Sequence, residues 1–177
     1  MVILYIRHAK DRTSSHKHDE KLTEEGKQEA YNVALNLLEK YGIPDIIYYS
    51  PYHRAKKTLK YMMKAISKYR KMNNTNSSNK KAEIIIDPRL GRFFTKKERR
   101  NPELRDNTIK RGAIIHETWE DFETRIENQV NEISNSDTNI WNITHTLVLL
   151  KLSRYKNIDF HSHVEYLDVL EIPVLNF

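Results

Sequence analysis

Val2-Ile3-Leu4-Tyr5-Ile6-Arg7-His8-Ala9 is the stretch on which the fold turns. Val2 to Ile6 is an unbroken β-prone run with no polar alternation. That pattern describes a strand buried on both faces, as in a parallel sheet covered by helices. The run is apolar but short and has no basic segment before it, so it reads as a first strand and not as a signal peptide. The abrupt change to Arg7 and His8 puts two chemically capable side chains at the strand's carboxyl end, where open α/β sheets bind their ligands.

Working outward, the chain alternates. Polar residues 9–21 form a loop, and Thr23 with Glu24 and Glu25 opens a helix carried by Ala30, Val33, Ala34, Leu37 and Leu38 until Gly42 and Pro44 stop it. Ile46 to Tyr49 is a second strand, Ser50-Pro51 turns the chain, and residues 52–68 return to helical spacing through Ala55, Leu59, Met62, Met63 and Ile66. Residues 70–81 hold almost nothing apolar and read as a surface loop inside one domain spanning 1–177. Ala82 to Ile86 is a third strand, followed by an irregular charged stretch to about 113. A helix over 116–133, a strand over 139–144, a helix over 147–152 and a final strand over 166–172 complete the chain. This order predicts an α/β fold: a three-layer α/β/α sandwich with a mostly parallel central sheet.

The composition is that of a soluble globular protein, with 38% hydrophobic and 31% charged residues and no apolar run long enough for a membrane span. No cysteine is present, which excludes disulfides, thiolate zinc sites and a cysteine nucleophile and suits a cytoplasmic setting. The net charge of +6 fits either a nucleic acid or a phosphorylated partner. Four glycines among many Asn, Lys and Ile look like the imprint of AT-rich coding, so the charge is discounted as a sign of nucleic-acid binding. Lysines 56, 57, 60, 64 and 68 partly follow helical spacing and read as a solvated helix face.

Strand ends supply the chemistry. Arg7 and His8 follow the first strand, Arg54 lies just past the second, and His145 follows the strand ending at Thr144. Arginine's planar fork suits phosphoryl oxygens, and an imidazole nitrogen can attack phosphorus. The helices after Pro51 and after His145 can add N-terminal donors. Arg12 and Arg92 are weaker candidates for phosphate contacts. The scheme needs no cofactor and no metal ion. His16, His18 and Asp19 form a weak metal-ligand pattern, while His161 and His163 read as structural or substrate-facing.

Ile6-Arg7-His8-Ala9 resembles the Arg-His signature of the histidine phosphatase superfamily, the phosphoglycerate mutase-like proteins. The run from Asp19 to Ala30 is similar to that family's Asp-x-x-Leu-Thr-x-x-Gly segment. The run from Ser50 to Thr58 is similar to its Ser-Pro-x-x-Arg-Ala-x-x-Thr segment, and Thr144-His145 to its late histidine motif. The compact length resembles the short phosphohistidine phosphatases. This resemblance implies a metal-independent phosphatase, a histidine acid phosphatase-type phosphoric monoester hydrolase. In that reading His8 becomes phosphohistidine while Arg7, Arg54 and His145 hold the phosphoryl oxygens. The substrate is then a phosphorylated small molecule or a phosphoprotein, with no membrane partner. Nothing in the sequence assigns an oligomeric state.

Three departures stand out. Ala9 and Thr146 replace smaller residues, and Leu90-Gly91-Arg92 stands where a branch of the family carries Leu-x-Glu, a general acid. Glu117 is a candidate substitute; its alternative role is a carboxylate beside a helix start. The missing acid favours phosphohistidine, whose imidazole leaves readily once protonated, over an ester. It also motivates an alternative: a pseudo-phosphatase that binds phosphate or a protein without turnover. Phosphoglycerate mutase activity ranks below both.

Overall fold

The computed structural model describes residues 1–12, 21–73, 81–100, 112–114 and 116–173. Five strands form one sheet in the order β3-β2-β4-β1-β5. They are β1 (Ile3–Arg7), β2 (Ile46–Tyr49), β3 (Glu83–Ile86), β4 (Ile140–Thr144) and β5 (Val169–Ile172). All neighbours run parallel except β1 with β5, which is antiparallel. Every residue of β4 is buried, as the middle strand of a sheet covered on both faces must be.

Two helices cover each face. On one side α1 (Glu24–Tyr41) and α2 (His53–Met72) bring Ala30, Ala34, Leu38, Met62 and Ile66 against Leu4, Ile6, Ile47 and Ile143. A single turn, α3 (Lys96–Arg99), precedes α4 (Trp119–Ser134) and α5 (Thr146–Tyr155). On the opposite side α4 and α5 set Phe122, Ile126, Val130, Leu149 and Leu152 against Ile3, Tyr5, Ile140 and Leu170. Odd and even residues of β1 thus enter different cores, which is why its sequence shows no alternation. The architecture is the three-layer α/β/α sandwich that the chain order implied.

Several boundaries differ from the sequence reading. The α2 helix runs on to Met72, with Arg70 and Lys71 in its last turn complementing the dipole, so the expected 70–81 loop begins later. Its remainder, residues 74–80, lies outside the described residues, as do His16, Lys17, His18 and Asp19. The α4 helix begins at Trp119 because Thr118 and Asp121 form a capping box that fixes the start there. The last strand begins at Val169; Tyr166 belongs to the turn before it. No helix among the described residues is long and apolar enough to cross a membrane.

The register positions the site. Arg7 is paired with Thr144 and Tyr49 with Ile143, so the residues that follow these strands emerge side by side at one sheet edge. His8 donates its backbone N–H to Thr144 O at 2.9 Å, and Ser50 donates its own to Ile143 O at 2.9 Å.

Candidate active site

His8 is 5% exposed, and its Nδ1 lies 2.9 Å from the carbonyl oxygen of Ala9. A carbonyl only accepts, so Nδ1 carries the hydrogen and Nε2 keeps its lone pair. Burial, then the Arg54 charge, hold the imidazole well below the ordinary histidine range, overriding the opposing pull of the Ala9 carbonyl. His8 is therefore a neutral base with a defined free nitrogen. Ala9 is buried, its backbone avoids the left-handed region, and its N–H donates to Thr58 Oγ1 at 3.0 Å. Alanine is accommodated at this position without backbone strain.

Arg54 and His145 meet directly. An Nη2 hydrogen of Arg54 points to Nδ1 of His145 at 3.2 Å, and Ser50 Oγ lies 2.8 Å from His145 Nε2. Guanidinium only donates, so Nδ1 is the acceptor and the neutral ring carries its hydrogen on Nε2, donated to Ser50. Burial first, then the charge of Arg54, keeps His145 unprotonated. The His8 and His145 rings are 5.1 Å apart, centroid to centroid. Ser50 belongs to the Ser50-Pro51 segment, but its task depends on a tautomer that no sequence shows.

Arg7 is held from the far end of the chain. Its backbone N–H donates to Asp168 O at 2.9 Å, its Nη1 donates to Val164 O at 2.5 Å, and its guanidinium lies 4.0 Å over the Tyr166 ring. Its Nε is buried without a hydrogen-bond partner among the described residues. Tyr166 is also 5.7 Å from the His8 ring, so one turn, 164–168, orients both members of the Arg-His pair. Leu167 in that turn has a φ of 64°, a conformation held by the contacts on either side.

Arg92 reaches the same region, since its positive charge acts on His8, Arg54 and His145. Its guanidinium sits 5.3 Å from the Phe94 ring and 5.9 Å from Tyr52. A cation thus stands where the Leu-x-Glu pattern would supply an acid. Glu117 does not fill that gap. It is buried, and both its oxygens are taken by Arg125, at 2.6 and 2.8 Å. The same Arg125 donates to the carbonyls of Arg89 and Gly91, tying the segment before Arg92 to α4. Arg12 is exposed and its charge acts on Glu24 at the start of α1. The His161–Asp168 and His163–Glu165 pairs are exposed ones, at 2.6 and 2.8 Å.

Helix ends complete the electrostatics. The α1 and α4 helices have capping side chains and acidic first turns, whereas α2, which carries Arg54 in its first turn, and α5, whose N-cap is His145, have neither. Their positive dipole ends, with no acidic side chain in the first turn to offset them, favour an anion. The Leu22-Thr23-x-x-Gly26 segment props up the other side: Thr23 N donates to Lys10 O at 3.0 Å, and Gly26 packs against the Lys10 backbone. Glycine is required there because any Cβ would collide with Lys10 O.

Fold and site together define a phosphoglycerate mutase-like α/β sandwich with a cationic pocket built around two neutral histidines. Residues 3–161 match the family model of the Histidine phosphatase superfamily (branch 1), and the chain belongs to that superfamily of phosphatase-type hydrolases. No curated protein matches by sequence. Among solved structures, the protein histidine phosphatase SixA complexed with tungstate aligns with a TM-score of 0.64 at 13% identity, covering 98% of this chain and 88% of that one. Phosphoglycerate mutase from Bacillus anthracis str. Sterne aligns with a TM-score of 0.66 at 19% identity, covering 97% and 86%. Ecdysone phosphate phosphatase from Bombix mori, also with tungstate, aligns with a TM-score of 0.63 at 15% identity, covering 95% and 87%. At these identities the likeness is one of fold.

Proposed function

We propose that the protein hydrolyses a phosphohistidine or a phosphomonoester through a covalent phosphohistidine on His8. The observation that carries this reading is the fixed tautomer of His8: with Nδ1–H committed to Ala9 O, Nε2 is free to attack phosphorus. Arg7 and Arg54 hold the phosphoryl oxygens, and Arg92 adds positive potential. His145 keeps Arg54 oriented and becomes a donor if it takes a proton when the anion enters. The uncapped starts of α2 and α5 reinforce the charge balance as the transferring group passes between oxygens and nitrogen. Water then attacks the phosphoenzyme and releases phosphate. Among substrates, phosphohistidine makes the smaller demand on an acid, because its imidazole leaves more readily than an alkoxide, and Arg92 stands in place of the glutamate.

The test is hydrolysis of an aryl phosphate and of a phosphohistidine peptide in the presence of a chelator. His8→Ala should abolish both, and acid quenching of the wild type should trap an acid-labile phosphoenzyme. Arg7→Ala or Arg54→Ala should each lose about 3 to 4 kcal/mol of transition-state stabilisation. Turnover that survives His8→Ala defeats the proposal. Tight vanadate binding with no turnover on either substrate would replace it with the non-catalytic phosphate-binding reading.

A further inference from the structure

Asp11 lies three residues beyond His8 in a loop pinned by an isolated antiparallel bridge to Leu22. Its side chain is 12% exposed, with Oδ2 3.9 Å from Arg54 Nη1 and Oδ1 3.4 Å from the Tyr166 hydroxyl. Both separations exceed those of strong charge-assisted hydrogen bonds, so the carboxylate is located without being spent. The fully buried carboxylates are in the opposite condition. Asp87 accepts from the backbone and side chain of Arg89, and Glu117 is clamped by Arg125.

Asp11 also closes a ring around the pocket. Arg54, on one side of it, reaches His145, whose ring faces His8; Tyr166, on the other side, covers Arg7 and faces His8. Burial keeps the Tyr166 phenol protonated, so its hydroxyl can donate to the carboxylate. A phosphate dianion docking on Arg54 would neutralise that cation and bring negative charge beside Asp11. That would set the transferring group beside the Asp11 carboxyl, where a proton can pass between it and the leaving atom.

We propose that Asp11 is the general acid and base of this site, taking the part left open by Arg92. The inference rests on the phosphatase reading above. In the first step Nε2 of His8 forms the bond to phosphorus as the bond to the leaving oxygen or nitrogen breaks. The Asp11 carboxylic acid gives its proton to that leaving atom and becomes a carboxylate. In the second step a water oxygen bonds to phosphorus and the N–P bond breaks, returning the electron pair to Nε2. Asp11 takes the water's proton, which restores the acid and releases inorganic phosphate.

The decisive comparison uses two esters that differ in their need for a proton, 4-nitrophenyl phosphate and an unactivated alkyl phosphate. Asp11→Asn should lower kcat/KM for the alkyl ester by about 100-fold or more and for the aryl ester by only a few-fold. With the aryl ester, slower dephosphorylation should expose a burst of nitrophenol. Asp11→Glu should recover part of the alkyl activity. Equal losses on both esters, or no loss on either, would overturn the role of Asp11. Failure of the wild type to hydrolyse the aryl ester would instead defeat the parent reading.

Discussion

Arg54 donates to Nδ1 of His145 at 3.2 Å, which makes the second histidine of this pocket an acceptor for its arginine. Ser50 sustains that arrangement by taking the hydrogen on Nε2. Ser50→Ala would strand a buried N–H and release the ring. The expected effects are a loss of about 1 to 3 kcal/mol in stability by urea denaturation and weaker inhibition by inorganic phosphate. A variant unchanged in both measurements would mean that the tautomer is not held by Ser50.

Gly26 allows α1 to press against the Lys10 backbone, and Lys10 is the neighbour of both Ala9 and Asp11. Gly26→Ala must push that loop away. We expect a destabilisation of about 1 to 3 kcal/mol and a fall in kcat/KM of the folded fraction, read by thermal melting and aryl phosphate assay. Gly42→Ala, by contrast, meets no neighbouring atom but must hold a φ of 78°, so its effect should be confined to stability.

The Glu117–Arg125 pair is buried and two-pronged, and Arg125 also supports the carbonyls on either side of Leu90. Glu117→Gln removes one charge and leaves the other without its counter-ion. A loss of about 3 to 5 kcal/mol is expected in denaturant unfolding. An unaltered unfolding midpoint would show that the pair contributes nothing to the fold.

His8 and His145 are both held below the ordinary histidine value of 6.5, chiefly by burial. Below that pH the unfolded chain binds protons that the folded chain refuses, so their contribution is complete above about 6.5 and is lost as the pH falls towards the depressed folded values. Stability should decline on acidification from pH 7 to 5, by at most on the order of 1 kcal/mol per pH unit for each ring. His8→Gln should flatten part of that slope in urea titrations at several pH values.

Local pattern made much of this readable. Val2 to Ile6 has the composition of a strand buried on two faces, and it lies between two helix-lined cores. Thr23 and Gly42 bound α1 because a cap and a left-handed exit are encoded within a few residues. Tyr166 misled for the same reason: an aromatic residue before Leu167 to Ile172 looks like strand, whereas Leu167 breaks the run with its positive φ. Glu117 looked free to act because its partner sits eight residues ahead, where the chain has turned from a loop into α4.

The sequence by itself determined the order of strands and helices, the placing of Arg7, His8, Arg54 and His145 after strands or at helix starts, and the resemblance those segments carry. These follow from periodicity, capping and spacing, which act over a few residues. Only the tertiary structure decided that β4 lies between β1 and β2, which is what brings His145 beside His8 and Ser50. It also decided that the 164–168 turn returns to cover Arg7 and that Asp11 faces Arg54 and Tyr166 while Glu117 is spent on Arg125. Register, burial and hydrogen-bond donation between distant segments set those outcomes, and they exist only once the sheet has formed.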